Sequence, residues 1–226
     1  MKRTYEQSLT FYKHNTKNRG CGRELYSTPK PLIYAIVSDL LKIHPYLKSY
    51  SWVDPCSGDG RWADVIKEFG IYCDSYDIFP LSSNVKQKNF LDSYEQNKFY
   101  IGNPPFSSVK KFVNHALSNN NICYFLGGSQ LITGSLSNKA KLIHRFEGFE
   151  GNQSDKRSKV SFIDTLGNKV LVWCCGGLFD NNQYNTLCRS KEIKSNYFRT
   201  STQCLCEITP RIREIKFERS VYEQIR

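Results

Sequence analysis

An α/β fold built on a doubly wound, mainly parallel sheet is what this chain predicts, and three observations carry the prediction. Strand-like and helical runs alternate from Thr28 to Phe146. Two unusual turns, Asp54-Pro55-Cys56-Ser57-Gly58-Asp59-Gly60 and Asn103-Pro104-Pro105-Phe106, each follow directly on a strand-like run. A hairpin pattern over 160–173 closes the series. Ligands in such sheets lie outside the carboxyl ends of the strands, so both turns stand where a ligand would bind.

The elements follow in order. Thr28-Pro29 predicts a helix start, with the hydroxyl at the cap and proline at the first helical position. Ile33, Ile36, Val37, Leu40 and Leu41 continue it at helical spacing. Ser51-Trp52-Val53 is a strand leading into the glycine-rich turn. A second helix places Trp62, Val65, Ile66 and Phe69 on one face and stops at Gly70. Residues 71–76 read as a strand ending at Asp77, and Lys98-Phe99-Tyr100-Ile101-Gly102 as another. A helix from Ser107 or Ser108 buries Val109, Phe112, Val113, Ala116 and Leu117, and Asn119-Asn120-Asn121 breaks it. Residues 122–126 are a buried strand and 139–146 a helix. Residues 160–163 and 170–173 pair as a hairpin across Leu166-Gly167-Asn168. The domain division is a basic arm over 1–24, one main domain over 25–180 and a basic extension over 181–226.

With 226 residues, 39% hydrophobic and 14% aromatic, the chain is long and apolar enough to fold around a core. The longest apolar stretch, over 170–179, contains Gly and Cys and reads as a buried strand, not a membrane span. No apolar segment follows Met1-Lys2-Arg3, which argues against a secretion signal. Nine cysteines at irregular spacing include no C-x-x-C pair, which argues against a zinc site. Cys73, Cys123 and Cys174 sit in apolar runs and suit a reducing, intracellular compartment: the cytoplasm, or the nucleus of a eukaryote. The histidines, His14, His44, His115 and His144, show no metal spacing. A net charge of +11 points to a polyanionic partner, with solubility alone as the plainer explanation.

The two turns carry the chemistry. Gly58-Asp59-Gly60 lets a backbone pass close to a ligand, Asp54 can accept from an ammonium or hydroxyl, and Asp77 stands where a carboxylate holds ribose hydroxyls. Without a following G-K-[ST] this is no P-loop, and taken alone the segment reads first as a tight structural loop with a capping Asp. Asn103-Pro104-Pro105-Phe106 is more specific. Two prolines stiffen the corner and remove two N–H donors, leaving the Pro104 carbonyl and the Asn103 side-chain oxygen as acceptors for the two protons of an amino group. Phe106 offers a face on which a base stacks.

Together these residues resemble a class I S-adenosylmethionine-dependent methyltransferase of the amino-methylating group, in the N6-adenine pattern with the cofactor motif ahead of the catalytic one. Tyr26-Ser27-Thr28-Pro29 resembles the aromatic-x-Thr-Pro segment over the methionine part of the cofactor. Residues 54–60 resemble its Asp-Pro-x-x-Gly-x-Gly loop, and Asp77-Ile78 its acidic ribose clamp with the following apolar residue. The family's Asp-Phe-Leu stands here as Asn89-Phe90-Leu91, a departure at the carboxylate that takes the cofactor's amino group.

The resemblance covers about residues 20–180. It implies a seven-stranded, Rossmann-like sheet ending in an antiparallel hairpin. S-adenosyl-L-methionine would be held by Tyr26, Thr28, Asp54, Cys56, Gly58, Gly60, Asp77, Ile78, Asn89, Phe90 and Asn103. Catalysis would fall to Asn103, Pro104, Pro105 and Phe106, with no metal. The implied reaction is methylation of the N6 amino group of adenine in DNA, with RNA the alternative substrate. Relatives with Asn-Pro-Pro-aromatic motifs also methylate a glutamine amide in proteins. A non-catalytic nucleic-acid-binding subunit and a partner-activated enzyme stay open. The chain has no room for a separate target-recognition domain, so recognition falls to the basic arm, the loops, the extension or a partner subunit.

Overall fold

Strand β1 (Ser51–Asp54) lies inside the sheet and not at its edge, with Trp52 and Val53 pointing to opposite faces and both fully buried. The structure, a computed structural model, describes residues 26–128, 131, 136, 139–147, 159–163, 169–181, 189–194 and 216–219. The expected basic arm over 1–24 and the Leu166-Gly167-Asn168 turn lie outside the described residues, as does most of 181–226.

Helix α1 (Lys30–Ile43) precedes β1, and α2 (Arg61–Glu68) links β1 to β2 (Cys73–Asp77). After the short β3 (Lys86–Gln87) come β4 (Lys98–Gly102), α3 (Val109–Ser118) and β5 (Ile122–Gly127). The same period-two alternation runs through the central strands. Trp52, Phe99, Ile101, Ile122, Tyr124 and Leu126 join α1 and α2 in one core. Val53, Tyr100, Cys123 and Phe125 join α3 in the other. Helices thus cover both faces, as the alternation of elements predicts.

The remaining strands are β6 (Ala140–Glu147), β7 (Lys159–Ile163), β8 (Lys169–Trp173), β9 (Cys175–Phe179), β10 (Arg189–Lys194) and β11 (Lys216–Arg219). Among the described residues the main sheet has nine strands, not the seven expected, in the order β11-β10-β6-β9-β5-β4-β1-β2-β3. Its β1, β2, β3, β4 and β5 contacts are parallel, while β9 runs antiparallel between β5 and β6. Two of the nine strands, β10 and β11, lie in the stretch read as an extension. Their charged sequences, Arg189-Ser190-Lys191-Glu192-Ile193-Lys194 and Lys216-Phe217-Glu218-Arg219, carry little strand signal.

Three further expectations are corrected. Residues 139–146 form strand β6, not a helix. Leu142 and Phe146 belong to one core and Ile143 to the other, so the segment is apolar on both faces, a pattern that a buried helix segment shares. The β7–β8 hairpin is present but forms a two-stranded sheet of its own, so the 170–179 run divides at Cys174 between the hairpin and β9. Thr28 does not cap α1. Pro29 occupies the cap position, and the Thr28 hydroxyl instead accepts from the Trp62 indole at 3.3 Å.

The strand order reverses beside β1: β2 and β3 continue on one side, while β4 returns to the other. In open α/β sheets such a switch point is where a ligand crevice opens; here it lies at the carboxyl ends of β1 and β4, where Asp54 ends one strand and Asn103 follows the other.

Candidate active site

The glycine turn is held in shape by its neighbours. Gly58 and Gly60 have φ of 55° and 90°, and Gly60 caps α2, which is why glycine stands there. The Asp77 carboxylate at the end of β2 accepts from the Gly58 amide at 2.9 Å and the Phe79 amide at 2.8 Å. Burial nevertheless pushes its pKa up to about 6, the backbone hydrogen bonds only tempering the rise. Each oxygen keeps a second lone pair for a further donor. Ile78, beside it, is 49% exposed, an uncovered apolar side chain.

Asp54 is the most enclosed group of the site. Its residue exposure is 0%, and Oδ1 accepts from the Cys56 amide at 3.3 Å. Its Oδ2 and the neighbouring Ser57 Oγ are buried and form no well-aligned hydrogen bond among the described residues, although the Ser57 hydroxyl stands close enough to the carboxylate to draw its pKa down. Burial raises the Asp54 pKa to about 7. The Cys56 thiol is pushed well above its usual range by burial and by the carboxylates of Asp54 and Asp77, so it is a poor nucleophile.

Strand β4 delivers Asn103 to the same place. A Cβ on Gly102 would stand 2.5 Å from Asp54 Oδ1 and 3.2 Å from Cys56 Sγ, so only glycine lets β4 pass this close. The Asn103 side-chain amide donates to the Tyr26 carbonyl at 2.9 Å, which leaves Oδ1 buried and unpartnered among the described residues. Pro104 is buried, Pro105 leads into a short 3-10 turn (Phe106–Ser108), and the half-buried Phe106 lies edge-on to Phe162 of β7 at 6.3 Å. The Tyr26 ring lies 6.1 Å from the same Phe162.

The structure therefore brings Tyr26, Thr28, Asp54, Cys56, Gly58, Gly60, Asp77 and Asn103 into one contiguous set of contacts. Asn89 lies just beyond, since the preceding Lys88 amide bonds the Asp77 carbonyl at 2.9 Å. Its side chain accepts from the Leu91 amide at 3.2 Å and donates to Asp92 at 2.8 Å. Phe90 is only 2% exposed and is ringed by Tyr100, Phe112, His115 and Phe125, so it anchors the turn from within the core.

Besides Ser57, four participants escaped the sequence reading. Asp59 and Arg61 form a forked ion pair, with Arg61 Nε 3.0 Å from Oδ1 and Nη2 2.5 Å from Oδ2. Arg61 Nη1 also donates to the Thr28 carbonyl at 3.0 Å, and Ser27 Oγ donates to Asp59 at 3.3 Å. The fourth is Phe162, described above. Opposite charges two residues apart across Gly60 were the available signal for the ion pair; Phe162 left none. A separate groove of about 580 Å³, lined by Lys48, Tyr50, Trp52, Phe69, Tyr72 and Lys98, opens at the other end of the sheet and shares none of these groups.

No protein-family profile and no curated protein matches the chain. Among solved structures it is similar to the methyltransferase subunit of a type I restriction-modification system from Streptococcus thermophilus, at 10% identity and a TM-score of 0.47, covering 83% of this chain and 53% of that one. It is also similar to the type IIG restriction endonuclease BpuSI, at 12% identity and a TM-score of 0.46, covering 85% of this chain and 29% of that one. The chain thus spans about half of the first structure's length and less than a third of the second's. At TM-scores below 0.5 these likenesses are distant, and the function has to be argued from the site's own residues.

Proposed function

We propose that this chain is an S-adenosyl-L-methionine-dependent methyltransferase acting on the N6 amino group of adenine in DNA. The observation that carries the reading is a pair of buried acceptors at the switch point with no well-formed hydrogen bond among the described residues, Asp54 Oδ2 and Asn103 Oδ1, with the Ser57 hydroxyl beside the Asp54 carboxylate. Leaving such groups unsatisfied costs about 1–3 kcal/mol each, so their arrangement favours a ligand rich in donors and positive charge. The residues fit that cofactor: Asp54 and Ser57 for its cationic end, Asp77 for ribose hydroxyls and Ile78 for an apolar ring face. When bound, it supplies an electrophilic methyl group on a sulfonium sulfur.

The chain's part is to present the amine. Asn103 Oδ1 and the Pro104 carbonyl accept its two hydrogens, which favours a pyramidal nitrogen whose lone pair is drawn out of conjugation with the ring. Phe106 stacks on the base. A base in a duplex must first be extruded, at a cost of a few kcal/mol. Positioning accounts for most of the catalysis. The net charge of +11 supports a nucleic-acid substrate.

The test is incubation with methyl-labelled donor and a panel of DNA, RNA and protein, followed by nucleoside and peptide mass spectrometry. N6-methyladenine in DNA is the expected product. Label confined to RNA or to a glutamine amide would move the substrate, and no label anywhere would remove the reading. A second reading, a non-catalytic subunit, is favoured by one observation: the Asn89 side chain is already engaged by Leu91 and Asp92. Titration calorimetry separates the two, because such a subunit gives no heat with the cofactor.

A further inference from the structure

We propose that Arg61 is a positioning residue that sets the orientation of the Asn103 amide through the Tyr26-Ser27-Thr28 strap. The inference rests on the methyl-transfer reading above and goes beyond it. Three consecutive residues of the strap are gripped from different sides. Thr28 is held at its carbonyl by Arg61 Nη1 at 3.0 Å and at its hydroxyl by the Trp62 indole at 3.3 Å. Ser27 is held by Asp59 through its hydroxyl at 3.3 Å and by Ile163 of β7 through two backbone hydrogen bonds of 2.8 and 3.2 Å. The Tyr26 carbonyl then takes the Asn103 side-chain amide at 2.9 Å.

That last bond has a chemical consequence. An asparagine amide has a donor end and an acceptor end, and rotation by half a turn exchanges them. With Nδ2 committed to the Tyr26 carbonyl, Oδ1 is the end left unpaired. The opposite orientation would set two carbonyl oxygens against each other and offer the amine a donor instead of an acceptor. The strap carbonyl therefore selects the rotamer that can accept from an amine.

The strap's own position is fixed by a rigid part. Arg61 is the first residue of α2, immediately after the glycine turn, and its guanidinium is locked in a fork on Asp59. The planar fork leaves Nη1 aimed at Thr28. The same turn that shapes one half of the crevice thus holds the strap that orients the other half. The Arg61 side chain is 24% exposed and that of Asp59 34%, so the pair stands at the rim, within reach of a small solute.

The experiment compares wild type, Arg61→Ala, Arg61→Lys and Ser27→Ala, using methyl-labelled S-adenosyl-L-methionine with mixed-sequence DNA for turnover and calorimetry for cofactor affinity. Arg61→Ala is expected to lower kcat by about ten-fold to a hundred-fold, the scale of a small misplacement of a reacting group. Cofactor Kd should change less than kcat, because Arg61 lines none of the buried acceptors and reaches the cofactor side only through the strap residues Tyr26 and Thr28. Guanidinium at sub-denaturing concentration should restore part of the lost kcat, which repair of a merely structural defect would not do. Arg61→Lys should fall between wild type and Arg61→Ala, since an ammonium cannot hold Asp59 and Thr28 in the same fork. Ser27→Ala keeps the fork and the backbone pairing, so it should show a smaller loss of kcat; it also serves if Arg61→Ala fails to fold. An unchanged kcat in all the folded variants, or a loss that follows cofactor affinity without guanidinium rescue, overturns the proposal. Wild-type chain that binds no cofactor and methylates nothing overturns the reading beneath it, an outcome visible before any variant is made.

Discussion

Burying a carboxylate without a cation makes its charge expensive, and Asp54 is buried with no ion-pair partner among the described residues. Its pKa of about 7 in the fold lies above the ordinary 3.8. A group raised on folding contributes stability that is fully present below its unfolded pKa and is lost as pH rises through the folded value. The ligand-free chain should therefore lose stability between pH 4 and pH 7. Asp54→Asn should raise its melting temperature at pH 8, by an amount corresponding to roughly 1–4 kcal/mol. The same substitution should abolish binding of the proposed cofactor, because a neutral amide cannot compensate an ammonium. Wild-type affinity should be flat above pH 7 and weaken by up to about ten-fold per pH unit below it, as the carboxyl must first ionise. Calorimetry over that range checks the slope; an affinity indifferent to pH would remove Asp54 from the cationic end of the ligand. Asn103→Ala should eliminate methyl transfer while cofactor Kd stays within about a factor of a few, since the truncated acceptor serves the amine. Retained turnover would show that another group grips the substrate.

Strand β9 owes its close fit beside β5 to a glycine, Gly176. A Cβ on Gly176 would stand 1.9 Å from the Tyr124 hydroxyl, which itself meets His144 Nδ1 at 2.8 Å. His144 Nε2 in turn meets Asp39 of α1 at 3.1 Å, so a buried polar chain joins helix and sheet beneath the strand. Gly176→Ala should cost about 1–3 kcal/mol or more in chemical denaturation, the ordinary penalty for overfilling a packed interior. Adding Tyr124→Phe should return only part of it, because the ring carbon Cζ would still lie 2.5 Å away. Full recovery would mean that the hydroxyl alone sets the constraint. At this scale the sequence was legible where one face of an element is apolar, as in α2 and α3, whose buried residues were all expected from their spacing, while Phe69, just past the end of α2, and Phe112 are only half-buried. It misled at β6, where both faces are covered. It was silent at β10 and β11, where backbone pairing outweighs a polar composition.

Over the whole molecule the excess of 32 Lys and Arg over 21 Asp and Glu is the largest feature. If DNA is the partner, binding measured by fluorescence anisotropy should weaken steeply as salt is raised, with a slope proportional to the number of phosphates neutralised. A flat response would assign the charge to solubility. Among the described residues no helix is long and apolar enough to cross a membrane.

The two turns that define the candidate site were readable from the chain alone because their chemistry is local. Glycine permits the positive φ at Gly58 and Gly60, and proline removes donors and stiffens the corner after Asn103, whatever surrounds them. Folding decided what those turns do to each other. It placed β4 against β1, closed Gly102 onto Asp54, and brought Tyr26 to Asn103 across 77 residues and Ser27 to Asp59 across 32. Such contacts join segments whose separation in sequence carries no trace of their separation in space, so which end of the Asn103 amide faces the crevice could be settled only by the tertiary packing.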